Sequence, residues 1–537
     1  MPGTLWELLT ERAARTPGAV ALTVAGEAGS ALTYAQLAEQ AERFASGLAS
    51  LGLARGDALA VWLPNSIEWV IAEFAAARLG LLVVGLNPRY KAREIGHLLA
   101  VTQARAIVMC PQFHDHDYGN VADQTLAETR LPALETLILA GNSGSGWQPA
   151  GGLRTTTFPD LMVSARAAGA PAGRPADVVN VFGTSGTASF PKLAGHDQQS
   201  VVRHARDAAV ALEFAADEVM LAFLPFCGVY GFVALMSVLS AGGRAAILPA
   251  YSVGNVIDAF ASEGATCMFA LESVFGDLFA SPRAQARAFA SWRKGCVAGL
   301  TAERMIRRAE DEFGVALTNP YGSSELFALT ATRRPSEPVA VRIQAGGRLI
   351  SDGMSVRAVD PVTREVLPDG EPGELEFAGY NVTSGYLANP DADASAFTAD
   401  GWYRTGDLGM VSEGGRALTY AGRLADTLRL RGYLVSPAEI EDLILLHGSV
   451  TDVQVVGVPR PETGEDRAVA FVRHDNPPAD LERVIRDHCR SQAASWKVPD
   501  VVIALTEFPM TPGANGDKVM KTRLREMAIE YLKRAGT

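Results

Sequence analysis

Short apolar runs recur through the first half of the chain, with helical patterns between them. Ala58–Leu63, Leu82–Leu86, Ala106–Met109, Leu137–Leu139, Val219–Phe223, Ala245–Leu248 and Cys267–Ala270 are too short for buried helices and too continuously apolar for strands with one wet face. Strands covered on both faces fit this pattern, because helical crossovers supply the cover and keep neighbouring strands parallel. The clearest unit runs from the Ala58–Leu63 strand through the Pro64-Asn65 stop and a helix to Leu79, then into the Leu82–Leu86 strand. The sequence therefore predicts an α/β fold on parallel-type sheets, with chemistry on the loops at strand ends. Before that unit, Val20–Val24 reads as part of a peripheral hairpin and Tyr34 as the start of an Ala-rich helix.

A chain of 537 residues exceeds what one hydrophobic core organises, so two or more domains are expected. Beyond Gly373 the texture changes to short alternating strands with glycine-rich turns, Gly373–Phe377 and Ala417–Tyr420, which predict a small β-barrel-like subdomain. From Asp426 a basic strand, a helix starting at Pro437 and the strands Val453–Val458 and Ala468–Val472 predict a small α+β unit. The expected division is residues 1–424 and 425–537. A formal net charge of -12 argues against a nucleic-acid binder. The cysteines Cys110, Cys227, Cys267, Cys296 and Cys489 lie singly, which suits a reducing cytoplasm. Met1–Thr10 carries no secretory pattern, no apolar run is long enough to span a bilayer, and Arg534–Thr537 matches no retention or peroxisomal tripeptide, so a cytoplasmic protein without a membrane partner is expected.

Within this frame one stretch stands out, Gly183-Thr184-Ser185-Gly186-Thr187-Ala188-Ser189-Phe190-Pro191-Lys192. Its glycines can turn several N–H groups toward one point, its hydroxyls add donors, and Lys192 adds a charge suited to a polyphosphate. It lacks the Walker spacing, since no glycine immediately precedes Lys192, and an ordinary solvated loop has the same composition. The apolar run Asp177–Phe182 before it and the helical pattern from Gln198 to Leu212 after it give strand, loop, helix. In Tyr321-Gly322-Ser323-Ser324-Glu325, an aromatic that can stack on a base lies four residues from a carboxylate that can ligate Mg²⁺; the bland alternative is a surface turn. Trp402–Asp407 ends in a carboxylate suited to a ribose diol. Gly422, Arg423 and Asp426 follow, and Asn515-Gly516-Asp517-Lys518-Val519-Met520-Lys521 places a lysine on a glycine turn.

In this order and at these separations, the five segments resemble the adenylate-forming superfamily of acyl-CoA synthetases, peptide-synthetase adenylation domains and luciferases, over nearly the whole chain. The cradle resembles that family's T-S-G-T-T-G-x-P-K-G loop, Tyr321–Glu325 its Y-G-x-T-E, and Tyr403–Asp407 its Y-R-T-G-D. Gly422–Glu441 resembles its G-R joint ending P-x-E-I-E, and Gly516–Arg525 its terminal G-K-x-x-K/R. The resemblance implies that a carboxylate attacks the α-phosphate of ATP and that the acyl-adenylate then passes to CoA. It assigns Thr184, Ser185, Gly186, Thr187 and Lys192 to the phosphates, Thr187 and Glu325 to Mg²⁺, and Ser324 to the α-phosphate. Tyr321 goes to the base, Asp407 and Arg423 to the ribose, and Lys518 to the reacting oxygens, with Lys521 its rival because Asp517 displaces the usual glycine. A mobile C-terminal domain would swing about the joint and build a pantetheine channel at Gly432. The partners implied are ATP, CoA and a small carboxylic acid, with a homodimer as the assembly the resemblance allows.

The chain departs from the pattern at Ala188, Ser189 and Leu193 in the cradle and at Ala425 in the joint. In Leu224–Gly231, Gly228 holds the position of the family's histidine, which releases space. The acyl pocket is expected from Gly228, Val229, Phe269, Gly295 and Gly299, with Phe269 and Phe275 equally suited to the core. An apolar wall implies an aromatic, alicyclic or medium-chain acid. Two alternatives stay open: transfer to a carrier protein or amine, and a non-catalytic binder with a degenerate cradle.

Overall fold

Helices Ile67–Leu79 and Val229–Ala241 are apolar on nearly every side and buried along most of their length, which places them inside the molecule. The structure, a computed structural model, describes residues 3–535 apart from 142–146, 148, 150–151, 164–168, 185–190, 300–301, 431–432, 461–464, 475–476 and 512–517. The side chains of 433, 434, 518 and 535 are likewise not described. The chain forms two compact units, one of Met1–Ala298, Ala302–Ser355 and Phe377–Tyr403, the other of Gly299–Thr301, Val356–Glu376 and Arg404–Thr537.

The first unit carries two seven-stranded sheets among the described residues. One runs in the order Ala316–Thr318, Lys294–Ala298, Cys267–Leu271, Val219–Ala222, Arg244–Ile247, Val20–Val24, Leu32–Thr33, parallel except for the last pair. The other runs Lys192–Asp197, Val178–Thr184, Leu82–Gly85, Ala58–Trp62, Ala104–Met109, Thr136–Leu139, Arg154–Thr157, parallel except for the first pair. The α/β class read from the apolar runs is thus the observed one. Two local readings change. Val20–Val24 does pair with Leu32–Thr33, but its other edge adds to Arg244–Ile247, which is why Ala21 and Leu22 are fully buried. The cradle leads not directly to a helix but into the strand Lys192–Asp197, which folds back antiparallel on Val178–Thr184. Helix Gln198–Ala211 follows, capped by the Asp197 carboxylate, which accepts from the Ser200 N–H at 2.8 Å.

In the second unit, residues 404–412 pair antiparallel with Ala417–Arg423, in the region beyond Gly373 where short alternating strands are expected. Glu376, 1% exposed, is the electrostatic centre of this region. It accepts from the Arg357 Nε at 2.8 Å and also pairs with Arg364, with Arg404 at 4.0 Å. Farther on, Val453–Arg460 and Glu465–Arg473 pair antiparallel and Val501–Leu505 adds parallel. Side chains alternate across this sheet, so one face gives Val453 and Val455 to a core with Ile440, Ile444 and Ile485. The other face gives Val456, Val458 and Phe471 to a core with Leu524, Ala528 and Leu532. Residues from 428 onward therefore build their own apolar interior.

Candidate functional site

The hairpin Val178–Thr184 and Lys192–Asp197 presents the cradle, with Thr184 opposite Lys192 in its register. Ser185, Gly186 and Thr187, together with Ala188 and Ser189, lie outside the described residues. Thr184 is buried. Lys192 is half-buried and holds its ammonium 4.9 Å from the centre of the Tyr386 ring, a cation–π contact that leaves the charge without a carboxylate partner among the described residues.

Tyr386 is the residue the motifs missed, and it joins two of them. Its hydroxyl donates to Glu325 Oε1 at 2.9 Å and lies 3.4 Å from the Tyr403 hydroxyl. Burial and the neighbouring Glu325 charge both hold that hydroxyl well above its ordinary range, so it stays a donor. Segment 383–387 is held along the outer edge of Lys192–Asp197: Ser384 donates to the Gly195 carbonyl, Gly195 to Gly385, and Leu387 to Leu193. Lys192 and Glu325, 133 positions apart by number, thus meet the two ends of one tyrosine. A tyrosine following Ser-Gly in a loop carries no signal of this in the sequence.

Tyr321 pairs with Ala331, and its ring, 4% exposed, lies parallel to Phe377 at 5.7 Å. One face of the ring is therefore taken by the protein. Glu325 itself is half-buried, and its backbone carbonyl accepts from the Thr383 N–H at 2.7 Å. Ser324 is half-exposed beside it.

At the acyl segment, Asn65 pins the backbone by donating to the Leu224 carbonyl at 2.8 Å and accepting from the Phe226 N–H at 2.9 Å. Gly228 is the residue before helix Val229–Ala241, which begins without a side-chain cap. Gly85 meets this segment closely, since a Cβ there would fall 2.9 Å from the Cys227 Cα. Val229 is buried, and the next residue, Tyr230, donates to the Cys296 carbonyl at 3.3 Å and packs edge-on against Phe269 at 5.8 Å. Phe269 is 2% exposed and also faces Phe214, so it is a core residue touching the segment through Tyr230. Gly295 has a packing reason of its own: a Cβ would meet the Met268 carbonyl oxygen at 2.1 Å. Gly299 follows directly on the strand Lys294–Ala298, and Phe275 is fully buried against Trp292.

Within the second unit, Asp407 and Arg423 stand opposite one another, with Arg423 Nη1 3.1 Å from Asp407 Oδ1. The preceding loop is fixed by Thr405, whose hydroxyl donates to the Leu375 carbonyl at 2.6 Å and accepts from the Asp407 N–H at 2.9 Å. Gly432 lies outside the described residues. Lys518 begins the short strand Lys518–Val519, paired with Met510–Thr511. Lys521 opens the last helix with its ammonium 3.3 Å from Glu441 Oε1, an oxygen that also accepts the Val455 N–H at 2.8 Å. No helix among the described residues is long and apolar enough to cross a membrane.

Known proteins share the family profile and the overall fold. The family profile described as AMP-binding enzyme matches residues 9–387, and that of the AMP-binding enzyme C-terminal domain matches residues 439–514. Similar to the chain is the mitochondrial medium-chain acyl-CoA ligase ACSF2 of Rattus norvegicus, 29% identical over 562 residues, covering 99% of this chain and 88% of the relative. Among solved structures, ATP-bound MatB from Rhodopseudomonas palustris superposes with a TM-score of 0.81 at 25% identity, covering 97% of this chain and 98% of that one. A fatty acyl CoA synthetase of Mycobacterium tuberculosis does so with a TM-score of 0.73 at 25% identity, covering 98% of each. Since the first profile alone spans more than half of the chain, the protein belongs to the AMP-binding, adenylate-forming enzyme family and is an enzyme of the acyl-CoA synthetase type.

Proposed function

We propose that the chain is an ATP-dependent carboxylic acid–CoA ligase acting on an apolar acid. The observation that carries the reading is the Lys192–Tyr386–Glu325 group, a phosphate-type cation and a metal-type carboxylate held together at the root of the cradle. In the first step a carboxylate oxygen attacks the α-phosphorus and the bond to the bridging oxygen of pyrophosphate breaks. Two anions must approach, so positive charge and fixed donors matter more than a strong base. Thr184, Ser185, Gly186, Thr187 and Lys192 hold the β and γ phosphates, Ser324 meets the α-phosphate, Tyr321 takes the base, and Asp407 with Arg423 takes the ribose. Lys518 neutralises charge between the reacting oxygens. Support for it over Lys521 comes from the ion pair that already occupies Lys521. In the second step the CoA sulfur attacks the acyl carbon and AMP leaves, after residues 425–537 turn about the joint to open a channel beside Gly432.

Among the described residues no three His, Cys, Asp or Glu side chains converge as a metal cage. A lone, half-open carboxylate fits Mg²⁺, which keeps water and phosphate oxygens as its other ligands. Glu325 and Thr187 would hold the ion, which supplies charge neutralisation on the phosphates. An apolar acid is supported by the acyl segment Leu224–Gly231, which contains no lysine or arginine, by buried Cys227 and Val229, and by the medium-chain name of the rat relative.

A panel of carboxylic acids incubated with ATP, Mg²⁺ and CoA tests this. The expected result is acid-dependent pyrophosphate release accompanied by an acyl-CoA thioester. Pyrophosphate release without thioester would make a carrier protein or an amine the acceptor, and ATP binding without pyrophosphate release for any acid would make the chain a binder.

A further inference from the structure

The loop that bears Ser324 and Glu325 has an unfavourable backbone. Phe327, Ala328 and Leu329 take φ of +62°, +49° and +36° in succession, a conformation that costs a residue with a Cβ about 1–2 kcal/mol. Such a run persists only where its surroundings over-determine it. Here four carbonyls are taken by donors from elsewhere or from within the turn. His196 Nε2 lies 2.8 Å from the Ser324 oxygen, the Thr383 N–H donates to Glu325, Asn381 Nδ2 and the Thr330 hydroxyl donate to Leu326 at 3.1 and 2.9 Å, and His204 Nε2 lies 2.9 Å from the Ala328 oxygen. Because a carbonyl only accepts, each histidine is the Nε2–H tautomer.

His196 differs from the other donors in where it is mounted. It lies four residues after Lys192 on the strand Lys192–Asp197, so the two side chains share a face. Lys192 reaches the Glu325 side chain through Tyr386, while His196 reaches the backbone one residue earlier directly. Its ring is 1% exposed and lies 4.5 Å from Phe327 and 6.1 Å from Phe182, so it has no room to swing away. One strand face therefore fixes both the cradle's lysine and the carboxylate loop.

We propose that His196 is a positioning residue that sets the register of Ser324 and Glu325 against Lys192, so that affinity for MgATP depends on its N–H while handling of the acid and of CoA does not. The proposal rests on the nucleotide reading of this site.

The experiment compares His196→Phe, which keeps a ring but no donor, with His196→Gln, whose amide reaches as far as Nε2. Calorimetric titration with MgATP in the absence of acid needs no turnover. His196→Phe is expected to weaken MgATP binding about tenfold, the scale of losing one hydrogen bond that orients charged groups, and His196→Gln to stay within about threefold of the parent. The KM for the acid and the rate of CoA attack on supplied acyl-adenylate should stay within about twofold in both. Unchanged MgATP binding in His196→Phe, equal impairment of the two variants, or an equal loss in the CoA step would overturn the role. Should His196→Phe not fold, Asn381→Ala serves, because Thr330 still donates to Leu326. About threefold weaker MgATP binding is expected there, and unchanged binding counts against the clamp. If the parent enzyme itself binds no MgATP, the nucleotide reading falls; if the parent binds and His196→Phe binds equally, only the role of His196 falls.

Discussion

Glu376 and Glu325 are both carboxylates met by neighbouring polar side chains, and they are finished in opposite ways. Glu376, in the second unit, is almost wholly buried, and its oxygens are shared among Arg357, Arg364 and, at longer range, Arg404. Glu325, in the first, is half-exposed and has one oxygen engaged by the Tyr386 hydroxyl and the other without a partner among the described residues. Lys521 and Lys192 repeat the contrast: one is paired with Glu441, the other rests on an aromatic face. A charge whose bonding is completed by the protein holds the fold; a charge left with reachable capacity is available to a ligand.

The largest expected effect breaks the closed centre. Glu376→Ala should lower unfolding free energy by about 3 kcal/mol, because guanidinium groups gathered around one buried anion are left facing each other. Urea unfolding checks this. A change below about 1 kcal/mol would mean that the arginines relax into water and that the network is not structural.

Next come the two lysines. Lys518→Ala should depress adenylation by about 10²-fold, the scale of removing one charge-stabilising donor, and spare CoA attack on supplied acyl-adenylate. Lys521→Ala should leave adenylation within a few-fold and cost about 1 kcal/mol of stability through the Glu441 pair. Pyrophosphate release and thioester formation measured separately decide it, and a reversed pattern would transfer the role to Lys521.

A smaller effect sharpens the open site. Glu325→Gln should raise the KM for MgATP about tenfold without moving the unfolding midpoint, and Tyr386→Phe, which keeps the ring under Lys192 and removes one hydrogen bond worth about 1 kcal/mol, should raise it about fivefold. Destabilisation by either variant as large as that of Glu376→Ala would erase the distinction between the two carboxylates.

The sequence made visible whatever repeats or clusters locally. Apolar runs such as Ala58–Leu63 announced parallel strands because both faces are covered, and Tyr321–Glu325 or Tyr403–Asp407 announced chemistry because polar residues crowd into five positions. The strand Lys192–Asp197 stayed hidden because Leu-Ala-Gly-His lacks β-branched residues; its place is fixed by partners on both edges, Val178–Thr184 and residues 383–387. Tyr386 and His196 were illegible for the same reason, since each acts on a loop 61 or 128 residues away. Phe269 and Gly295, read as pocket residues by position, are accounted for by sheet packing, a long-range fact that a local pattern does not carry.

Glu73 tests whether spare capacity alone marks a functional carboxylate. It is fully buried in helix Ile67–Leu79, and Asn180 donates to one oxygen at 3.1 Å while the other has no partner among the described residues. Burial pushes this carboxyl up to about 8, against the pull of the Asn180 hydrogen bond, so the folded protein holds it neutral. A folded value raised above the unfolded one means that the folded state binds the extra proton, and stability falls as pH rises from the ordinary carboxylate range toward about 8. His196 and His204, held by burial down to about 4 and about 3, act with opposite sign and only as pH drops below about 6.5, whereas the buried thiols of Cys110, Cys227, Cys267, Cys296 and Cys489, all pushed up by burial, act with the same sign above pH 7, so the difference between the parent and Glu73→Gln isolates Glu73. Between pH 7 and 8 the parent should lose about 1 kcal/mol more than Glu73→Gln, and Glu73→Gln should keep an unchanged KM for MgATP. Urea unfolding at the two pH values reads the first and steady-state kinetics the second. A KM that moved with Glu73→Gln would show that an unfilled oxygen matters even when sealed; a KM that stayed put would leave access, rather than unsatisfied bonding, as what separates Glu325 from the carboxylates of the core.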